Sequence, residues 1–356
     1  MAARPRRAGP SPLLPPARRR KRPRSRDRVV GLLIAVAAFG LAAALIDVGP
    51  KHANSDPVAG VAGFANLAAT SPLGLPLGTP PLPLSGVGDP ALDPLQPHLA
   101  NPPDAGLLFN LETGQVLWQL NPYARRPIAS LTKMMTALVV LKRLAPQALV
   151  PITKEAVEMP GSKVGVLPLG KKMTVESLLY GLMLPSGNDA AQALAAAAGP
   201  GVGRFAEEMN LEAARLGLGC TRFSNPSGYY NENNYSCPVD LAELAYAVLH
   251  QPLLARIVAS KTAQVPAPIP GGKIYLVNNN PLLLYNYPGA NGVKTGYTEA
   301  AGTSLVASAR RDGVELGVVL LHSPAPGTQA QRLFDEAFER VYHQPHQNEP
   351  QIPGGA

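Results

Sequence analysis

The sequence predicts an α+β fold: an antiparallel sheet built from both ends of one folded region, flanked by helices, with a mostly helical subdomain inserted between. Three observations carry that reading. Two short apolar-rich runs, 106–111 and 115–120, flank Glu112-Thr-Gly114 and read as a β-hairpin. Strand signals return only at 292–296, 303–309 and 314–321, the last two joined by the turn Arg311-Asp-Gly313. Between these ends the dominant period is helical. A chain that starts and finishes in one sheet and places helices in its middle is α+β rather than alternating α/β.

Each element has a local reason. A helix is expected over 130–144, because Leu131, Met134, Met135, Leu138 and Val139 recur at helical spacing. Helices are also expected over 174–183, 189–198, 202–216 and 240–250. Residues 224–236 are rich in Asn, Gly and Tyr and read as loop. A terminal helix is expected over 329–342, followed by a disordered tail, 343–356.

The flanks differ from this body. Residues 1–28 hold eleven Lys or Arg and one acid, Asp27, which leaves 21 bases against 23 acids over residues 29–356. The high pI therefore belongs to a tail, and a nucleic-acid partner is not expected. Residues 29–46 are uncharged and apolar; as a helix they would span roughly 27 Å, the thickness of a bilayer core. Arginines on one side only predict a transmembrane signal-anchor with the tail in the cytoplasm and the body outside, or a secreted body if 29–46 is cleaved. Twelve of the 39 prolines fall within 50–103, so 47–104 reads as a Pro/Gly/Ala-rich linker to a folded domain over 105–342. The two cysteines, Cys220 and Cys237, could close an 18-residue loop worth roughly 3 kcal/mol, or stay as free thiols. The six histidines, His52, His98, His250, His322, His343 and His346, show no metal-ligand spacing, so no metal and no cofactor is expected.

Three short motifs supply chemistry. Ser130-Leu-Thr-Lys133 places a hydroxyl and an amine on one face of a helical turn. A serine hydroxyl needs a base to become a nucleophile, and a lysine serves as one when burial and a second cation strip its proton. Lys294 would be that cation. Ser186-Gly-Asn188 suits a helix cap, but it also offers a hydroxyl to relay a proton and an amide to hold a substrate backbone. Lys294-Thr295-Gly296 on an edge strand offers an ammonium and a hydroxyl to a carboxylate, and a glycine that lets an extended peptide come close. Each motif is common by itself. A similar triplet, Lys261-Thr-Ala263, lacks the glycine and runs into Pro266, Pro268 and Pro270, and is set aside. The ordered conjunction is what describes a serine acyl-transfer site.

In that order and context the chain resembles the serine-type D-Ala-D-Ala carboxypeptidases, the low-molecular-mass penicillin-binding proteins, from about residue 103 to 342. The likeness extends to Pro127-Ile-Ala-Ser-Leu-Thr-Lys-Met-Met-Thr-Ala-Leu138, Ser186-Gly-Asn-Asp-Ala-Ala191, Phe223-Ser-Asn-Pro-Ser-Gly228 and Val293-Lys-Thr-Gly-Tyr-Thr298. The resemblance implies a penicillin-binding protein or β-lactamase-like fold with Ser130 as nucleophile, Lys133 as general base and Ser186 as proton shuttle. Asn188 would hold the substrate amide, and Lys294 and Thr295 the terminal carboxylate. The backbone N–H groups of Ser130 and Tyr297 would form the oxyanion hole. The implied partners are peptidoglycan stem peptides as substrate, β-lactam antibiotics as covalent inhibitors, and a membrane through the N-terminal helix. Other readings are a β-lactamase or DD-endopeptidase of the same superfamily, or a non-catalytic membrane-tethered cell-wall-binding protein. No Glu-x-x-Leu-Asn segment of the kind that deacylates class A β-lactamases is present, which predicts slow release of a bound penicillin.

Overall fold

The computed structural model describes residues 81–199, 201–229 and 233–344. The basic tail, the apolar run 29–46, residues 47–80 of the expected linker and residues 345–356 lie outside them.

Along the chain, β1 (Ala105–Asn110) and β2 (Val116–Leu120) form the opening hairpin. A short β3 (Arg126–Pro127) leads through a 3-10 turn (Ala129–Thr132) into α1 (Lys133–Arg143). Then come β4 (Leu149–Pro151), α2 (Lys154–Val157), β5 (Lys172–Thr174), α3 (Val175–Met183), α4 (Asn188–Ala198) and α5 (Val202–Arg215). After β6 (Tyr235–Ser236) follow α6 (Pro238–Leu249), α7 (Pro252–Ala259), and a hairpin of β7 (Thr262–Pro266) and β8 (Lys273–Val277). The chain closes with α8 (Pro281–Leu284), β9 (Ala290–Thr298), β10 (Gly302–Arg311), β11 (Val314–Leu321) and α9 (Pro326–Arg340).

The sheet is antiparallel with order β2-β1-β11-β10-β9, so both ends of the folded region meet in it as expected. Asp312 and Gly313 both take positive φ (43° and 82°), the geometry of a type I′ hairpin turn. Alternation along the strands divides two cores. Leu107, Phe109, Val306, Val319 and Leu321 face the helical layer, where α1 is buried along nearly its whole length. Leu108, Leu305, Ala307, Leu316, Val318 and Leu320 face the other way, against Leu333, Phe334, Ala337 and Phe338 of α9. The one-sided apolar stripe read for α1 thus understates its burial, because α1 has helices on several sides rather than solvent on one.

Four expectations need correction. Residues 81–104 are not free linker but an arm laid on the body. Leu82 and Leu95 are buried, the Leu82 N–H donates to Glu243 Oε2 (2.7 Å), Ser85 bridges to Gln115 beside β2, and Asp93 accepts from the Gln119 amide (2.7 Å). Ser130 sits in a 3-10 turn rather than in the first turn of α1. The KTG strand is longer than expected, running over Ala290–Thr298 rather than 292–296. The set-aside triplet 261–263 leads into β7, whose Ala263 and Val265 pack inward with Ile274 and Leu276 of β8. The strand was hidden by its prolines.

Candidate active site

The nucleophile turn is shaped from both sides. Ala129 takes φ +46°, and the Thr132 hydroxyl donates back to its carbonyl (2.8 Å). Gly228, at φ +73°, lies so close that a Cβ there would stand 1.8 Å from the Ala129 carbonyl oxygen. On the other side a Cβ on Gly296 would meet the Ile128 carbonyl oxygen at 2.9 Å and the Ser130 nitrogen at 3.3 Å. The glycine of the KTG motif therefore lets its own strand approach the serine turn, a closer neighbour than the peptide the sequence suggested. Non-glycine residues held at positive φ, here Ala129 and Ser186 (φ +64°), are backbone strain that the surrounding packing sustains.

Lys133 is fully buried, and its Nζ is 2.8 Å from Ser130 Oγ, 2.8 Å from Asn188 Oδ1 and 2.7 Å from the Ser227 carbonyl. Burial, reinforced by the nearby charge of Lys294 and opposed by Asp189, pushes this amine well below the usual lysine range. A neutral amine has two hydrogens and one lone pair. Two of its three neighbours are carbonyl oxygens that only accept, and the third is a hydroxyl that can donate. The set matches a base aimed at Ser130.

Lys294 is also buried, donates to the Thr295 carbonyl (3.0 Å), and is brought down to about 7 by burial. Ser130, Ser186, Thr295, Gly296 and Tyr297 line one cleft of about 320 Å³. The Ser186 hydroxyl is buried and has no hydrogen-bond partner among the described residues, so it is a donor and acceptor left for an occupant. Asn188 has a task that its motif did not announce. Its Oδ1 holds Lys133, and its Nδ2 donates to the Pro160 carbonyl (2.7 Å), so it orders the base. The sequence reading missed the Ser227 carbonyl, although Ser227 stands within the quoted 223–228 segment. It also missed Ser162, Asn279, Pro281 and Thr303 on the cleft wall.

Cys220 and Cys237 form a disulfide (Cα–Cα 5.9 Å) that ties the 220 turn to the start of α6. Asp240 lies beside them, but its Oδ2 accepts from the Cys220 N–H (2.8 Å) and the Thr221 hydroxyl (2.6 Å). With both sulfurs joined to each other, this group is a structural staple rather than a ligand set. Among the described residues no helix is long and apolar enough to cross a membrane.

A serine hydrogen-bonded to a buried amine whose proton is destabilised by burial, beside a KTG edge strand on an α+β sheet, defines an active-site-serine acyl-transfer enzyme. Comparison with known proteins narrows the class. Residues 97–325 match the peptidase S11 family, D-alanyl-D-alanine carboxypeptidase. The chain is 35% identical over 245 residues to the D-alanyl-D-alanine carboxypeptidase DacB2 of Mycobacterium tuberculosis, covering 67% of this chain and 82% of that one. It is 32% identical over 256 residues to DacF of Bacillus subtilis, covering 70% of this chain and 65% of the relative, slightly under two thirds of its length. The crystal structure of the Streptomyces K15 DD-transpeptidase superposes with a TM-score of 0.63 at 36% identity, over 68% of this chain and 99% of that one. The chain belongs to the D-alanyl-D-alanine carboxypeptidase family of serine peptidases.

Proposed function

We propose that the protein removes the terminal D-alanine from peptidoglycan stem peptides through an acyl-enzyme on Ser130. The observation that carries this is the 2.8 Å contact of the buried Lys133 amine with Ser130 Oγ. Lys133 takes the hydroxyl proton as Oγ bonds to the peptide carbonyl carbon. The carbon–nitrogen bond then breaks as Ser186 passes a proton to the departing amine and is resupplied with the one Lys133 took, which leaves the lysine amine free again. The Ser130 ester is left for water, activated by the same base. The Ser130 and Tyr297 N–H groups receive the oxyanion. Lys294, protonated when an anion arrives, and the Thr295 hydroxyl receive the substrate carboxylate.

The cleft wall carries no carboxylate among the described residues, which supports slow hydrolysis of a penicilloyl ester and argues against the β-lactamase reading. Mass spectrometry after penicillin treatment tests the assignment. One adduct on Ser130, lost in Ser130→Ala, is expected together with D-alanine release from a pentapeptide ending in D-Ala-D-Ala. Label without release leaves a penicillin-binding protein with no peptidase activity, and rapid nitrocefin turnover favours a β-lactamase. Cleavage of cross-linked dimers at a rate matching alanine release favours an endopeptidase. Residues 29–46 act as the membrane anchor and the catalytic body works outside the cell. The charge asymmetry of 1–28 supports this, and the mature N-terminus read in the same spectrum tests it.

A further inference from the structure

We propose that Asp189 is a positioning residue for the acyl transfer: its buried carboxylate fastens the 160–165 segment of the cleft wall to the start of α4, and so holds Asn188 and the Lys133 amine in place. The inference rests on the reading of Lys133 as the base.

Asp189 is almost fully buried in the first turn of α4, where the helix N-terminus favours a negative charge. Its Oδ1 accepts from the Val164 N–H (2.9 Å) and from the Ala190 N–H (2.9 Å), and its Oδ2 accepts from the Gly165 N–H (3.1 Å). The residue before it completes the clip. The Asn188 N–H donates to the Ser162 carbonyl (2.7 Å), and its Nδ2 donates to the Pro160 carbonyl (2.7 Å). Two consecutive residues thus bind both the carbonyls and the amides of one short segment, whose central Ser162 lines the cleft. The fit leaves no room for change. A Cβ on Gly187 would stand 2.6 Å from Asp189 Oδ1, and one on Gly161 would stand 2.7 Å from Asn188 Nδ2.

The carboxylate also acts at a distance. Two charged groups bear on the Lys133 amine: Lys294 disfavours its protonation and Asp189 favours it. Asp189 thereby offsets part of what burial and Lys294 do. A neutral residue at 189 would let Lys133 lose its proton at lower pH.

The test is Asp189→Asn, followed by the penicillin acylation rate across pH and by hydrogen exchange of the peptide covering 160–165. Asparagine keeps one carbonyl acceptor, but it sets an amide group against the Gly165 N–H and removes the charge. Roughly tenfold slower acylation is expected. The acidic limb of the profile should move to lower pH and the 160–165 amides should exchange faster. A wild-type rate, or a slow rate with an unmoved limb, overturns the proposal. Should Asp189→Asn fail to fold, Asp189→Glu keeps the charge while displacing the carboxylate. It should slow acylation without moving the limb, and a wild-type rate in it would equally overturn the clip. Wild-type protein that takes no label at Ser130 would instead sink the base assignment itself.

Discussion

Gly296→Ala tests how closely the KTG strand must approach the serine. The added methyl would lie 2.9 Å from the Ile128 carbonyl oxygen, 3.3 Å from the Ser130 nitrogen and 3.4 Å from the Ala129 Cβ. Ordinary contact requires β9 to withdraw by about 0.5 Å. An oxyanion donor works at about 2.7–3.1 Å, and losing one outright costs about 10²–10³ in rate. A half-ångström withdrawal stretches rather than removes the contact, so a loss of about 10–10² in acylation rate is expected. The overpacking should also cost about 1–3 kcal/mol of stability, because both sides of the contact are backbone and cannot swing aside. The assay is the second-order rate of labelling by a fluorescent penicillin, with D-alanine release measured in parallel and the melting temperature as a check on folding. Acylation within twofold of wild type at an unchanged melting temperature would refute the argument, since it would mean that β9 and the serine turn have slack between them.

Three further outcomes are expected. In the free enzyme Lys294 is lowered from 10.5 to about 7, so between those values the unfolded chain holds the extra proton and wild-type stability rises with pH. Lys294→Met should therefore be inactive yet more stable than wild type, by on the order of 2–5 kcal/mol near pH 6. That advantage should fade towards pH 10, and a Met variant that melts below wild type at pH 6 contradicts the assignment. Replacing both Cys220 and Cys237 by serine opens a loop of 17-residue separation and should lose about 3 kcal/mol in urea unfolding; an unchanged midpoint would show that the staple adds nothing. A chain starting at Ala105 removes Leu82 and Leu95 from the core and the Leu82 N–H from Glu243, and should be less stable by roughly 3–6 kcal/mol. Thermal unfolding at the full chain's temperature would make the arm dispensable.

The elements with strong local signals were legible. The 314–321 strand and its Asp-Gly turn, the opening hairpin and the helices around α3 to α6 follow from period and turn chemistry alone. The arm 81–104 was not. Its proline-rich composition hides any period, and it is held by two leucines, by backbone bonds to β2 and its turn, and by a few side-chain-to-backbone bonds that depend on distant partners such as Glu243 and Gln119. The Pro266-to-Pro270 run likewise masked a hairpin whose alternation is plain in Lys273–Val277. At the site, the residues were legible and their wiring was not. Lys133 meets Ser130, as their i, i+3 spacing suggested, and Ser186 lines the same cleft as Ser130. That Asn188 grips the lysine, that the Ser227 carbonyl completes its cage and that Gly296 serves the strand are matters of apposition across more than fifty residues of chain, which no local pattern encodes.

The sheet has two flanks, and they are treated differently. Beside β2, the arm adds a parallel bridge at Ser85, accepts from the Val116 N–H and donates to the Leu117 carbonyl, so that rim already has a tenant. Beside β9, the rim opens on Ser130. An incoming chain that seeks backbone partners finds one border of the sheet already taken and the other bare beside the serine that the proposed reaction uses.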